Sequence, residues 1–120
     1  MKIAVSTKGK TLDAEIDPRF GRAGFFILID PETMNLEVLE NKQNLQLPQG
    51  AGIQAAQTVV DRGAKVVLTG NCGPKAFRVL QAAGVKVGIG MTGSVQEAVK
   101  RYKEGKINFA DAPNVEGHWG

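Results

Sequence analysis

The chain has few of the residues from which enzymes and small disulfide-stabilised proteins build their sites. Its 120 residues include one cysteine, one histidine, one tryptophan and one tyrosine. A single cysteine excludes an internal disulfide framework, and one histidine beside one cysteine gives no zinc-binding cluster in the sequence. No serine, histidine and acidic residue form a credible catalytic triad. No apolar run approaches membrane-spanning length, and we expect no signal peptide, because Lys2 is followed by only three apolar residues.

The chain also has a small net charge and few aromatic residues. Fifteen basic and twelve acidic residues give a net charge of +3, aromatic residues make up 6%, and no Lys/Arg cluster occurs. This composition lacks the signature of nucleic-acid binding, so we expect neither a nucleic-acid nor a membrane partner. It favours small anionic ligands over cations. Apolar residues make up 42% of the chain, enough for one core, and a reducing cytoplasm is the expected location.

Short apolar runs separated by turn residues predict one α/β domain. The predicted strands cover residues 2–6, 24–30, 36–40, 65–68 and 85–88. Helices are predicted at 51–62, at 75–83, and from a capping box at Ser94–Glu97 to a stop at Gly105. The order βββαβαβα predicts a mixed sheet in which a hairpin supplies one antiparallel strand. We expect residues 1–109 to form the domain and residues 110–120 a flexible tail, because periodicity is absent there.

Three predicted loops should meet at one edge of this sheet. Ligand sites in such sheets lie beyond the carboxyl ends of the strands, where residues 7–22, 70–74 and 89–94 are expected. Helix N-termini near that edge favour anions. The motif Gly88–Gly93 fits G-x-G-x-x-G, but no further strand with an acidic residue follows it, so we interpret it as a turn.

Cys72 stands between a predicted strand and the helix that begins near Pro74. Backbone N–H groups and the helix dipole at that point favour a thiolate, so we expect partial ionisation near neutral pH. An inert, half-buried side chain is the alternative. Arg78 follows at the spacing of the cysteine phosphatases, in which a thiolate attacks phosphate and an arginine holds its oxygens. Because Pro74 removes one loop N–H, a small cysteine-dependent phosphatase remains only the alternative function.

Three stretches together resemble one family. They are Phe20–Ala23 (FGRA), Gly50–Ala56 (GAGIQAA) and Gly70–Phe77 (GNCGPKAF). They are similar to the signatures of the small dinitrogenase iron–molybdenum cofactor biosynthesis proteins, and the element order agrees from residue 1 to about residue 105. The resemblance implies a ribonuclease H-like three-layer sandwich without nuclease activity.

It also implies a function, namely non-catalytic carriage of an anionic molybdenum-containing metal–sulfur cluster. A molybdenum–copper sulfide or an iron–molybdenum–sulfur cluster would be the cargo, and an acceptor protein in cluster assembly would be the partner. Resemblance and positive charge together predict the cluster site. Its expected residues are Arg19, Phe20, Gly21, Arg22, Asn71, Cys72, Gly73, Lys75, Met91 and Thr92.

Two positions depart from the family pattern. Arg19 stands where many relatives have histidine, and Cys72 stands where an apolar residue is common. Cys72 and Met91 would supply soft sulfur, and Cys72 is the one expected metal ligand. Because members of the family commonly have an apolar residue at this position, we predict that Cys72 tunes the site and that Cys72→Ser still binds cluster. The lone His118 lies in the tail and receives no role.

Overall fold

A computed structural model of the chain describes residues 1–41 and 50–113. The described residues form five strands and three helices, and every predicted element is confirmed, with ends that differ by at most one residue. The strands are β1 (Lys2–Thr7), β2 (Phe25–Ile29), β3 (Leu36–Glu40), β4 (Ala64–Leu68) and β5 (Lys86–Gly88). The helices are α1 (Ala51–Asp61), α2 (Pro74–Ala82) and α3 (Val95–Lys103).

The five strands form one mixed sheet in the order β3-β2-β1-β4-β5. Strand β2 is antiparallel to both of its neighbours, whereas β4 is parallel to β1 and to β5. At one edge Thr7 pairs with Phe25, and Phe25 pairs with Glu40. The carboxyl ends of all four strands other than β2 therefore lie along the same edge, which confirms the predicted sheet with one antiparallel strand.

Helices cover both faces of the sheet. Side chains alternate along each strand, so β1 presents Ala4 to one apolar cluster and Ile3 and Val5 to the other. The first cluster lies under α1 and α2, and the second lies under α3. This arrangement confirms the predicted three-layer sandwich. The N-termini of the three helices follow loops at the carboxyl-end edge, which places their positive dipole ends there.

Beyond α3 the chain returns along the outer strand. Ala110 donates its N–H to the Val87 carbonyl at 2.8 Å, and Ile89 donates to the Asn108 carbonyl at 3.3 Å. The domain boundary at residue 110 stays a prediction. Residues 114–120 of the expected tail, with His118, lie outside the described residues. Within residues 1–41 and 50–113, no helix is long and apolar enough to cross a membrane.

Candidate functional site

The three loops expected at the sheet edge are joined by backbone hydrogen bonds. Asn71 donates to the Pro18 carbonyl at 2.7 Å, and Phe20 donates back to the Asn71 carbonyl at 3.2 Å. Gly90 donates to the Gly70 carbonyl at 2.9 Å, which ties the third loop to the second. The segments 16–20, 70–71 and 90–93 thus form one continuous rim, so loop convergence follows from the fold as predicted.

Gly70 permits the closest approach within this rim. A Cβ atom at this position would lie 2.7 Å from the Pro18 Cα and 3.0 Å from the Pro18 carbonyl oxygen. Both atoms belong to the backbone, so no rotamer change could relieve the contact. Glycine is therefore required where the two loops pair.

A layer of buried polar side chains lies beneath the rim. The Ser6 and Thr69 hydroxyl oxygens are 2.7 Å apart, and Ser6 also donates to the Asp17 carbonyl at 2.8 Å. Both hydroxyl side chains are fully buried. Sequence reasoning missed this pair, although a polar residue at the end of a predicted buried strand was an available signal. The pair fixes the ends of β1 and β4 relative to the first loop.

Two of the three helices reach this edge without a side-chain cap. Helix α1 follows Gly50 at φ 83°, helix α2 follows Gly73, and neither has a capping side chain or an acidic residue in its first turn. Helix α3 has both, because Ser94 and Glu97 form a reciprocal capping box. The Ser94 backbone N–H, and secondarily its hydroxyl, hold the pKa of the Glu97 carboxyl below its usual value. The α1–α2 face therefore keeps the positive dipole ends that α3 neutralises.

Arg19 and Lys75 add positive charge to the rim. Half of the Arg19 side chain is exposed, and its Nε lies 3.9 Å from the carboxylate of the buried Asp17. The same carboxylate accepts the Arg19 backbone N–H at 3.0 Å. Lys75, in the first turn of α2, is exposed and has no acidic partner within 4 Å in the described part of the chain.

Phe20 and Arg22 have different positions although they are close in sequence. Phe20 is 1% exposed, and its ring centroid lies 5.1 Å from that of Phe26. It anchors the loop in the core, and its assignment to the cluster site stays a prediction. Arg22 is half-buried between the buried Gly21 and Ala23. Asn41, which the sequence analysis did not single out, contacts this segment through its side-chain amide.

The Cys72 thiol is protonated, whereas partial ionisation was expected. The side chain is fully buried within the apolar cluster under α1 and α2, and its Sγ lies 3.8 Å from the Gly73 carbonyl oxygen. Burial raises the pKa of the thiol from 9.0 to about 12. The predicted partial ionisation is wrong, because desolvation outweighs the helix N-terminus at this position. The assignment of Cys72 as a metal ligand stays a prediction, which its burial and protonation disfavour.

The other expected sulfur lies elsewhere. Met91 is 3% exposed and packs in the cluster under α3, on the face of the sheet opposite to Cys72. The structure therefore does not bring these two sulfur atoms together. Thr92 is exposed in the third loop, while Asn71 is half-buried and Gly73 is buried at the start of α2.

The phosphatase alternative receives no support from the geometry. Arg78 lies inside α2 and lines a shallow groove on the outer surface with Ile53 and Val79. A fully buried thiol with a raised pKa is a poor nucleophile. The described residues also contain no group of three or more His, Cys, Asp or Glu side chains that could hold a metal ion.

Comparison with known proteins decides the family. The profile described as dinitrogenase iron-molybdenum cofactor matches residues 1–105. The chain belongs to this family. Its membership agrees with the three motifs, all of which lie in the matched range and at the edge where the loops converge.

Several known proteins are similar to this chain over most of its length. The orange protein from Desulfovibrio gigas, solved in its apo form, is 47% identical, with a TM-score of 0.93 over 95% of this chain and 96% of that one. A NifB-like protein from Thermotoga is 36% identical, with a TM-score of 0.83 over 97% and 98% of the two chains. An uncharacterized protein from Methanocaldococcus jannaschii is 31% identical and covers 89% of each chain.

Proposed function

We propose that this protein is a non-catalytic carrier of an anionic molybdenum-containing metal–sulfur cluster. The cluster would bind at the rim formed by the loops after β1, β4 and β5. The observation that carries the proposal is that helices α1 and α2 have no side-chain cap and no acidic residue in their first turns. Their positive dipole ends therefore lie unneutralised at the carboxyl-end edge of the sheet, which also bears Arg19, Arg22 and Lys75. Membership in the dinitrogenase iron-molybdenum cofactor family supports a cluster as the cargo.

The donor set fits a cage of hydrogen bonds better than direct metal ligation. Within residues 1–41 and 50–113, no cluster of ligating side chains occurs, and the single thiol is buried and protonated. Backbone N–H groups and arginine side chains donate well to sulfide on the outside of a bulky cluster. The cluster would therefore arrive with its own sulfide ligands and exchange few or none of them for protein atoms.

We assign the cargo to molybdenum–copper sulfide or iron–molybdenum–sulfur chemistry. An acceptor protein that takes up the cluster would complete the carrier role. Cys72 is a tuning group in this account, since a buried, protonated thiol beside Gly73 can influence the backbone at the start of α2 but cannot serve as a thiolate ligand. A cytoplasmic location suits both the free thiol and a sulfide cluster, because both persist under reducing conditions.

The test is anaerobic reconstitution with tetrathiomolybdate and a copper(I) salt. Replacement of both Arg19 and Arg22 by Ala should weaken cluster retention by at least about tenfold. Charge-assisted hydrogen bonds contribute about 1.5–3 kcal/mol each, and about 1.4 kcal/mol corresponds to a factor of ten. Retention is measured as molybdenum and acid-labile sulfide per chain after gel filtration.

The matched control removes two positive charges from another surface. Lys100 and Arg101 are exposed in the last turn of α3, so their double replacement by Ala changes the net charge equally. This control should retain cluster as the wild type does. Equal retention in both double variants would place the binding site away from the rim.

A further inference from the structure

We propose that Asn41 is a positioning residue of the cargo site, which holds Arg22 in place for binding. The inference rests on the proposed function and assigns a role within that site to a residue outside the three family motifs. Asn41 follows β3 directly at the carboxyl-end edge of the sheet. It is 2% exposed, which is unusual for an amide side chain beside a loop.

Its contacts converge on one short segment. The Asn41 Nδ2 donates to the Ala23 carbonyl at 2.8 Å and to the Gly21 carbonyl at 3.2 Å. The Asn41 backbone N–H donates to the Gly24 carbonyl at 3.0 Å. The residue that follows β3 therefore holds three carbonyl groups of the loop that leads into β2.

The two carbonyls at Nδ2 flank Arg22 on either side. Because both turn toward one buried nitrogen atom, the backbone bends at Arg22, which is half-buried between two buried neighbours. The inward turn also keeps two partially negative carbonyl oxygens away from an anion bound at the rim. At the other end of the segment, Phe20 is fixed by its ring in the core and by its bond to Asn71.

An amide is well suited to this position. Its NH₂ group has two protons on one atom, so it can satisfy both carbonyls at once. A carboxylate of nearly the same shape has no proton to donate and would repel both oxygens. Asn41→Asp therefore removes the interaction with little change in volume, and Asn41→Ala removes the side chain altogether.

A double-mutant cycle tests the positioning role. We expect Asn41→Ala to weaken retention of the tetrathiomolybdate–copper cluster by about tenfold in the wild-type background and by less than about twofold when Arg22 is already Ala. Loss of stability alone would lower retention equally in both backgrounds. Val99→Ala, in the core under α3, is the control that destabilises the fold away from the loop, and any effect it has on retention should be the same in the two Arg22 backgrounds. Equal losses in the two Arg22 backgrounds would overturn the proposal.

Measurements on the apo protein keep the proposal testable if the cluster does not bind or Asn41→Ala does not fold. In the wild type, the side-chain amide protons of Asn41 should exchange with solvent far more slowly than those of the exposed Asn108. Nitrogen-15 relaxation should show an ordered Arg22 backbone amide that becomes mobile in Asn41→Asp. Exchange as fast as that of Asn108, or an unchanged Arg22 in the variant, would overturn the role of Asn41. Absence of cluster in the wild type would instead refute the proposed function.

Discussion

Cys72 lies among apolar side chains under α1 and α2, and its neutral form is strongly favoured there. Burial raises the pKa of the thiol from 9.0 to about 12. In the unfolded chain the thiol ionises at its ordinary value, so above that pH the unfolded state binds fewer protons than the folded state. The contribution of Cys72 to the free energy of unfolding therefore falls as the pH rises from about 9 to about 12.

Comparison of wild type with Cys72→Ala isolates this contribution. Between pH 9 and pH 12, the wild type should lose up to about 1.4 kcal/mol per pH unit more than the variant, with the steepest loss midway. All other titratable side chains are common to both proteins. Urea unfolding at pH 8 and at pH 10 measures the difference. Parallel pH dependences would mean that the thiol ionises as readily in the folded protein as in the unfolded chain.

Gly70 is the residue whose replacement most directly separates two loops of the rim. Gly70→Ala would place a Cβ atom 2.7 Å from the Pro18 Cα, so the 16–20 segment would have to move. We expect a loss of about 1–3 kcal/mol in the free energy of unfolding, together with weaker cluster retention.

Gly24→Ala is the matched control for this substitution. Its Cβ atom would meet nothing closer than the Thr7 carbonyl oxygen at 3.9 Å, which is an ordinary contact. Chemical denaturation and reconstitution of both variants provide the comparison. If Gly70→Ala were as stable as Gly24→Ala, the close approach of the two loops would not exist in solution.

At the scale of elements, the three helices differ in whether a side chain caps the N-terminus. Helix α3 neutralises its own N-terminus through Ser94 and Glu97, whereas α1 and α2 leave theirs uncapped by side chains. A carboxylate near a helix N-terminus stabilises a protein, so the missing caps are a local cost to stability. Binding of an anion would offset that cost, which links the stability of α1 and α2 to the cargo.

Lys75→Glu should therefore change stability and binding in opposite directions. A carboxylate in the first turn of α2 should raise the free energy of unfolding of the apo protein by about 0.3–1 kcal/mol. The same carboxylate should weaken cluster retention, because it places negative charge at the proposed anion site. Thermal unfolding of the apo protein and reconstitution of the same preparation measure the two effects.

Ser94→Ala serves as the comparison at the third helix. It removes the N-cap of α3 and should lower stability by about 0.5–2 kcal/mol while cluster retention stays unchanged. Cluster loss in Ser94→Ala as large as that in Lys75→Glu would show that retention follows general stability rather than charge at α2.

At the scale of the whole molecule, local sequence patterns were sufficient to predict the architecture. Bounded apolar runs located every strand. The residues that follow the predicted helices include Gly63, Gly84 and Gly105, and each adopts a positive φ. Parallel strands joined through helices place their connecting loops at one edge by topology alone. Convergence of the three loops could thus be inferred without coordinates.

The side-chain environments at the rim could not be inferred in the same way. The sequence placed Cys72 at a helix N-terminus but did not reveal that packing leaves its side chain fully buried. Nothing in the local sequence distinguishes Asn41, because its contacts join it to residues about twenty positions away. Local patterns describe the elements, whereas burial and long-range hydrogen bonds depend on how the elements pack.

The central claim is that this chain holds a molybdenum–sulfur cluster as an intact anion at the rim of loops. The most direct measurement is the molybdenum and acid-labile sulfide content per chain after anaerobic purification and reconstitution, determined for wild type, Cys72→Ser and the Arg19→Ala/Arg22→Ala double variant. Our account predicts the same stoichiometry in wild type and Cys72→Ser, with a shifted absorption band in the latter, and loss of both molybdenum and sulfide from the double arginine variant. Any one of three results would contradict it: a wild type without molybdenum and sulfide, complete loss of cluster in Cys72→Ser, or full retention in the double arginine variant.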